Sequence, residues 1–237
     1  MLRPSYFKDI VRPIAHKILS FIFFLRSFKN SSKIIINNNI NNCYIPNLLV
    51  KNVIKIDPIK IKYKNSIPMK FRKKSTSIIS NFSWKKKNKL LIKFEKQHHT
   101  YVSCRELFVE GLEVEKCKEF FFFKEQILKL GEWKNCKNDN DINLYFKKLL
   151  NLFKSIKKYG VKTNIDDNLE FMVDRNYNLV KINSGNHRFA ISRILKLKSI
   201  PIEIKLIHSD CFKKNNKTKI NIKDLNFFIR KIELKYN

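Results

Sequence analysis

The residues Ser184-Gly185-Asn186-His187-Arg188 hold the densest chemistry in the chain, and they run directly into the apolar periodicity of Phe189-Ala190-Ile191-Ser192-Arg193-Ile194-Leu195. Gly185 falls where a strand must turn into a helix, a place that favours positive φ and close backbone approach. The N–H groups of Asn186, His187 and Arg188 are then among the four that a helix cannot satisfy internally, and the helix dipole adds about half a positive charge there. Arg188 contributes a five-donor fork suited to phosphate oxygens. His187 can donate a hydrogen bond or shuttle a proton near neutral pH. The expected chemistry is anion binding, with phosphate as the occupant, and it needs no metal. A purely structural reading competes: Ser184 caps the helix, His187 packs, and Arg188 pairs with a carboxylate.

Other chemical residues form weaker sets. His98 and His99 are adjacent in sequence, so their side chains should diverge and joint chelation is not expected. His187, His208 and Cys211 lack the spacing of a zinc site, and no metal centre is expected. Asp166-Asp167 with Glu170 is an acidic island in a basic chain, able to hold magnesium beside a nucleotide or to serve as a turn and helix cap. Trp84 and Trp133 read as core or pocket wall rather than as a base-stacking platform.

The elements around the turn follow from hydrophobic period. Phe171-Met172-Val173 and Leu179-Val180-Lys181-Ile182 predict two strands joined by the polar turn Asp174-Arg175-Asn176-Tyr177-Asn178. A helix over His187–Leu197 follows, then the alternating strand Ile200–Ile207. Upstream, Val50–Ile56 predicts a strand ended by Asp57-Pro58, and Ile59–Tyr63 alternates as a strand or extended segment. A helix is expected from about Ser103, broken at Gly111, with an apolar stretch from Phe120 to Leu130 ended by Gly131. Ile142, Tyr145, Phe146, Leu149, Leu150, Phe153 and Ile156 recur at helical spacing, with a cap at Asp139-Asn140-Asp141 and an end at Gly160. Asp224–Leu234 predicts a terminal amphipathic helix.

Ser184 through Ile204, with its Gly-Asn-His-Arg turn, helix and Ser199-Ile200-Pro201-Ile202 strand, resembles the signature of the ParB/sulfiredoxin-like superfamily. The resemblance is specific over Glu170 to His208. A weaker likeness reaches back through Ser155–Gly160, Gly131-Glu132-Trp133, Glu106–Glu110 and Phe82-Ser83-Trp84 to Lys55-Ile56-Asp57-Pro58. It implies an α+β domain, with a small mixed sheet and packed helices, that binds ATP or CTP with magnesium. The phosphate-binding residues would be Ser184, Gly185, Asn186, His187 and Arg188. Glu170, in the strand before the turn, corresponds to a general base or magnesium partner, with His187 as a second catalytic group. Relatives bind or hydrolyse CTP, reduce a sulfinic acid with ATP, or phosphorylate free serine. Asn186 stands where sulfiredoxins carry Cys, which argues against sulfinic acid reduction. Ser184 stands where related proteins are usually acidic, and Lys198 where glycine usually follows the helix. No helix-turn-helix module of the kind chromosome-partition members carry is recognisable after the domain, and none is expected over 211–237.

The 237 residues are 43% hydrophobic and carry a formal charge of +30, with Phe 20 and Tyr 8, which predicts a folded chain with a sizeable core. Lys, Ile and Asn, all with A/T-rich codons, dominate the chain, so genome composition accounts for much of that charge. The expected organisation is a basic, apolar helix and Asn-rich linker over 1–43, the domain over 44–210, and a basic linker with a helix over 211–237. Five scattered cysteines without a C-x-x-C pair predict free thiols in a reducing compartment. The chain is therefore expected to be cytoplasmic, with the uninterrupted apolar run Ile18–Leu25 too short to span a bilayer and residues 10–28 suited to lie peripherally at its surface. Two functions follow: a nucleotide-binding protein, as a small-molecule kinase or nucleotide hydrolase, or a non-catalytic DNA-binding or membrane-surface protein that uses its basic surface.

Overall fold

The computed structural model describes residues 34–35, 42–46, 52–66, 76–80, 88–162, 168–182, 184–213 and 219–237. The expected N-terminal helix, Phe82-Ser83-Trp84 and Asp166-Asp167 lie outside these residues. The fold is α+β, with a mixed sheet carrying helices. The short strands are β1 (Ile34–Ile35), β2 (Asn42–Pro46), β3 (Val53–Ile56), β4 (Tyr63–Lys64), β5 (Thr76–Ser80) and β6 (Lys89–Leu90). The helices α1 (Leu91–Gln97), α2 (His99–Phe108), α3 (Lys118–Leu130) and α4 (Asp139–Tyr159) follow. Then come β7 (Glu170–Val173), β8 (Leu179–Lys181), α5 (Asn186–Ile194) and β9 (Ile200–His208). The chain ends with α6 (Asp210–Lys213), β10 (Lys219–Ile220) and α7 (Ile222–Tyr236).

β9 is the spine of the sheet. It pairs parallel with β7 on one side, and on the other with β3 antiparallel at its start and β5 parallel at its end. β8 returns antiparallel to β7, β4 joins β8 in parallel, and β6 closes that edge. The main core gathers Ile56, Phe171, Val173, Phe189, Ile191, Ile202 and Ile204 from sheet and α5 with Phe123, Phe146 and Ile142 from the helices. Met172, Val180, Ile182 and Leu206 bury the opposite side of the pleat together with Tyr63. β9 is therefore covered on both faces, and its alternating polar residues do not reach water: Lys205 and Glu203 are buried and pair at 2.6 Å.

Most expected elements are present, with four corrections. The cap of α4 is Asn138, whose side chain accepts from the Asp141 N–H at 3.0 Å, and the expected Asp139-Asn140-Asp141 forms the first helical turn instead. Residues Ile59–Tyr63 are not one extended strand: Pro58–Lys60 form a 3-10 turn, because the Asp57 carboxylate accepts from the Ile59 N–H at 2.8 Å and Pro58 occupies the first helical position. The second helix begins at His99 rather than near Ser103, since His98 caps it by accepting from the Thr100 N–H at 3.3 Å. α5 stops at Ile194 rather than Leu197, and the left-handed residue that turns the chain toward β9 is Lys196, φ 49°, not Lys198. α7 packs Leu225, Phe228, Ile229 and Ile232 into the main core. It is tied there by the Asp57 N–H donating to Tyr236 O at 2.7 Å and the Leu179 N–H donating to the Tyr236 hydroxyl at 3.1 Å.

Candidate functional site

The strand-to-helix turn forms where sequence places it. Gly185 caps α5 at φ 69° and ψ 34°, a left-handed conformation that side chains resist. A Cβ there would lie 2.4 Å from Leu169 Cδ2 and 3.3 Å from Arg188 Nη2. Two facts follow: the turn has no room for a side chain, and the Arg188 guanidinium folds back against the turn itself. No side chain caps the helix, so Ser184 does not play that role. The first helical bond runs from the Phe189 N–H to Gly185 O at 3.0 Å, leaving the N–H groups of Asn186, His187 and Arg188 ahead of the ladder. The Asn186 side-chain oxygen is buried with no hydrogen-bond partner among the described residues.

Beneath the turn lies Lys181, wholly buried between the Phe171 and Phe189 rings, at 5.6 and 6.0 Å from their centroids. Its ammonium donates to the carbonyls of Ile182 and Ser184. Since every peptide here is trans, the Gly185 N–H points away from the ammonium that holds Ser184 O. Burial, and next the charge of Lys64, push the Lys181 amine well below the ordinary lysine range, while Glu170 opposes that shift and Arg188 adds to it. Glu170, half-buried at the start of β7, thus shares the electrostatic neighbourhood of Lys181 and Arg188. Lys64 is itself lowered to about 8 by burial and then by Lys89, and its ammonium lies 3.1 Å from the Phe94 ring centroid.

His187 turns the other way, into a cluster that sequence reasoning missed. Its Nε2 lies 2.8 Å from Glu119 Oε2, and the Glu119 side chain is 0% exposed. The second carboxylate oxygen meets His99 Nδ1 at 3.1 Å and accepts from the Thr100 hydroxyl at 3.0 Å. The Glu119 backbone N–H donates to Ser103 Oγ at 2.6 Å, and the residue sits in the first turn of α3, where the helix dipole favours a carboxylate. The Tyr145 hydroxyl from α4 reaches His187 Nε2 at 3.3 Å. Lys134 reaches Tyr145 at 3.2 Å and Glu119 at 3.7 Å from a tight turn in which Lys134 and Asn135 both have positive φ. Burial pushes the Glu119 carboxyl up, but hydrogen bonds from His187 and His99 outweigh it and hold the group well below the usual carboxylate range. Burial, then the Glu119 charge, push the Tyr145 phenol up, so it stays protonated.

The predicted residues therefore divide. Gly185, Arg188 and Glu170 surround Lys181, while His187 leaves the same turn for Glu119, His99, Tyr145 and Lys134. The His98 and His99 side chains do not diverge as expected: their rings stack at 4.3 Å, with His98 capping α2 and His99 reaching Glu119. His208 meets Asp210 at 3.5 Å at the end of β9, and no group of three His, Cys, Asp or Glu among the described residues could hold a metal ion. Four cysteines, Cys104, Cys117, Cys136 and Cys211, are buried free thiols. Glu119 had one visible signal: a lone acidic residue opening the run Phe120-Phe121-Phe122-Phe123. Lys181 had another, a cation inside an apolar strand. No family model, curated protein or solved structure matches the chain.

Proposed function

We propose that the protein binds a nucleoside triphosphate, ATP or CTP with magnesium, through its phosphates at the amino terminus of α5, in the manner of the ParB/sulfiredoxin superfamily that its sequence resembles. The observation that carries this reading is the polarity of the Gly185 turn. Its carbonyl at Ser184 is held by buried Lys181, the N–H groups of Asn186, His187 and Arg188 stand ahead of the first helical bond, and the Arg188 fork lies against it. Oriented donors, a helix dipole and a guanidinium in one place are the requirements of a phosphate cradle. Glu170 stands on the adjoining strand as the group that would meet magnesium.

Thermal unfolding of the full chain with ATP or CTP plus magnesium tests this. A ligand at 100 times its Kd adds about 2.7 kcal/mol of stability, which for a chain of this size is a rise of roughly 5–10 °C in Tm. Arg188→Ala should abolish the rise. An unchanged Tm with both nucleotides, together with DNA binding that weakens steeply with salt, would instead favour the reading in which the basic surface binds DNA. Tight, salt-dependent binding to anionic vesicles would favour the membrane surface.

A further inference from the structure

Glu119 is an expensive feature for a merely structural contact. An ionised carboxylate taken fully out of water costs several kcal/mol before its partners restore it, and an apolar pair of similar volume would hold these helices together as well. Here both carboxylate oxygens are occupied, Oε2 by His187 and Oε1 by His99 and Thr100, so the group cannot rotate. An ionised acceptor at Nε2 fixes His187 in the tautomer that donates from Nε2 and keeps Nδ1 as an acceptor. Among the described residues Nδ1 has no hydrogen-bond partner, and the ring keeps 19% of its side-chain surface exposed. This basic nitrogen belongs to the first turn of α5, between Asn186 and Arg188, whose N–H groups open the helix.

The geometry points to a Glu119–His187 pair that takes the proton from a hydroxyl acceptor as that acceptor attacks the terminal phosphoryl group of the bound nucleotide, and this rests on the nucleotide reading above. The acceptor oxygen forms the new bond to phosphorus. The bond from phosphorus to the bridging oxygen breaks, and its electron pair leaves with the nucleoside diphosphate. The acceptor's proton passes to His187 Nδ1 and from there to solvent. With water as acceptor the products are nucleoside diphosphate and inorganic phosphate. His187 is the catalytic base, and Glu119 is the positioning residue that fixes its tautomer and stabilises the imidazolium formed. His99 and Thr100 lock the far side of the carboxylate. The other charged or titratable groups facing the pair are Lys134 from its turn, Tyr145 on α4, Cys104 on α2, and His98 beside His99.

The test is phosphate release by the full chain with magnesium and ATP or CTP, read as kcat and KM across pH, beside the thermal shift that reports binding. General base catalysis is worth about 100-fold or more. His187→Gln should therefore lower kcat by about that factor, and Glu119→Gln should lower it at least about tenfold, each with the nucleotide-induced rise in Tm retained. Glu119→Gln should also move the acid limb of the kcat profile to lower pH, because an amide supports an imidazolium less than a carboxylate does. Glu119→Asp, which restores the charge, should return the limb toward the wild-type position. If Glu119→Gln does not fold, His187→Gln carries the test, since it leaves Glu119 its bonds to His99 and Thr100. A wild-type chain that binds nucleotide but releases no phosphate overturns this proposal and leaves the binding reading standing. So does a His187→Gln variant with wild-type kcat. Absence of any nucleotide-induced shift overturns both.

Discussion

Gly185 is held by two independent constraints, its positive φ and the 2.4 Å approach of Leu169 to the space where a Cβ would go. Gly185→Ala should therefore destabilise the chain by roughly 2–4 kcal/mol in urea unfolding, the sum of left-handed strain and overpacking. The paired variant Gly185→Ala with Leu169→Ala should relieve the overlap but keep the strain, so the two losses should not add. Glu119 has a measurable signature too. Its folded-state pKa is depressed, so its stabilisation is complete above the unfolded value of 4.5 and is lost as pH falls below it. His98 acts in the same direction over a higher window: burial, then His99 and Lys64, lower it from 6.5 to about 3, so the unfolded chain binds the extra proton. Stability should thus fall steadily from about pH 6.5 downward, and Glu119→Gln should flatten the portion below pH 4.5 alone. At this scale the sequence reveals a residue when its backbone role is special and hides it when its role depends on partners. Gly185 and Arg188 were legible as a turn signature. Glu119 was not, because the residues that make it functional, His187, His99, Tyr145 and Lys134, are brought to it by different elements.

The elements were more legible than the residues, and the exceptions share a cause. α4 was visible because its apolar stripe is long and regular and Gly160 marks its end, while its cap lies one residue earlier than expected, at Asn138. The β7–β8 hairpin was visible because Asp174 organises its turn, accepting from the Asn176 and Asn178 N–H groups at 2.8 and 2.9 Å. The misread Ile59–Tyr63 segment shows local capping at Asp57-Pro58 overriding an alternation that only seemed to ask for a strand. β9 alternates as well, yet both faces are covered, and pairing of Lys205 with Glu203 is what lets its polar residues be buried. α7 makes a prediction of its own. Phe228 is buried against Phe212 with ring centroids 4.9 Å apart, so Phe228→Ala should cost about 3 kcal/mol in urea unfolding. A loss below about 1 kcal/mol would mean that the helix contributes little to the core.

Across the whole molecule, β9 and β7 set the base on which α5 stands, and α2, α3 and α4 bring Glu119 and its partners to the same turn. The site is thus assembled from helices and strands rather than from long loops, which favours fixed geometry over induced fit. The large positive charge of the chain does not define this site: it would attract any polyanion, so affinity alone does not identify a ligand. Among the described residues no helix is long and apolar enough to cross a membrane. What separates the nucleotide reading from a general attraction to anions is where on the backbone the ligand is felt. The most direct measurement is the amide NMR spectrum of the full chain titrated with magnesium and ATP or CTP. Saturable shifts centred on the N–H groups of Gly185, Asn186, His187 and Arg188, and lost in Arg188→Ala, are the predicted result. Shifts spread over the Lys-rich surface that vanish with added salt, with those four amides unmoved, would contradict it.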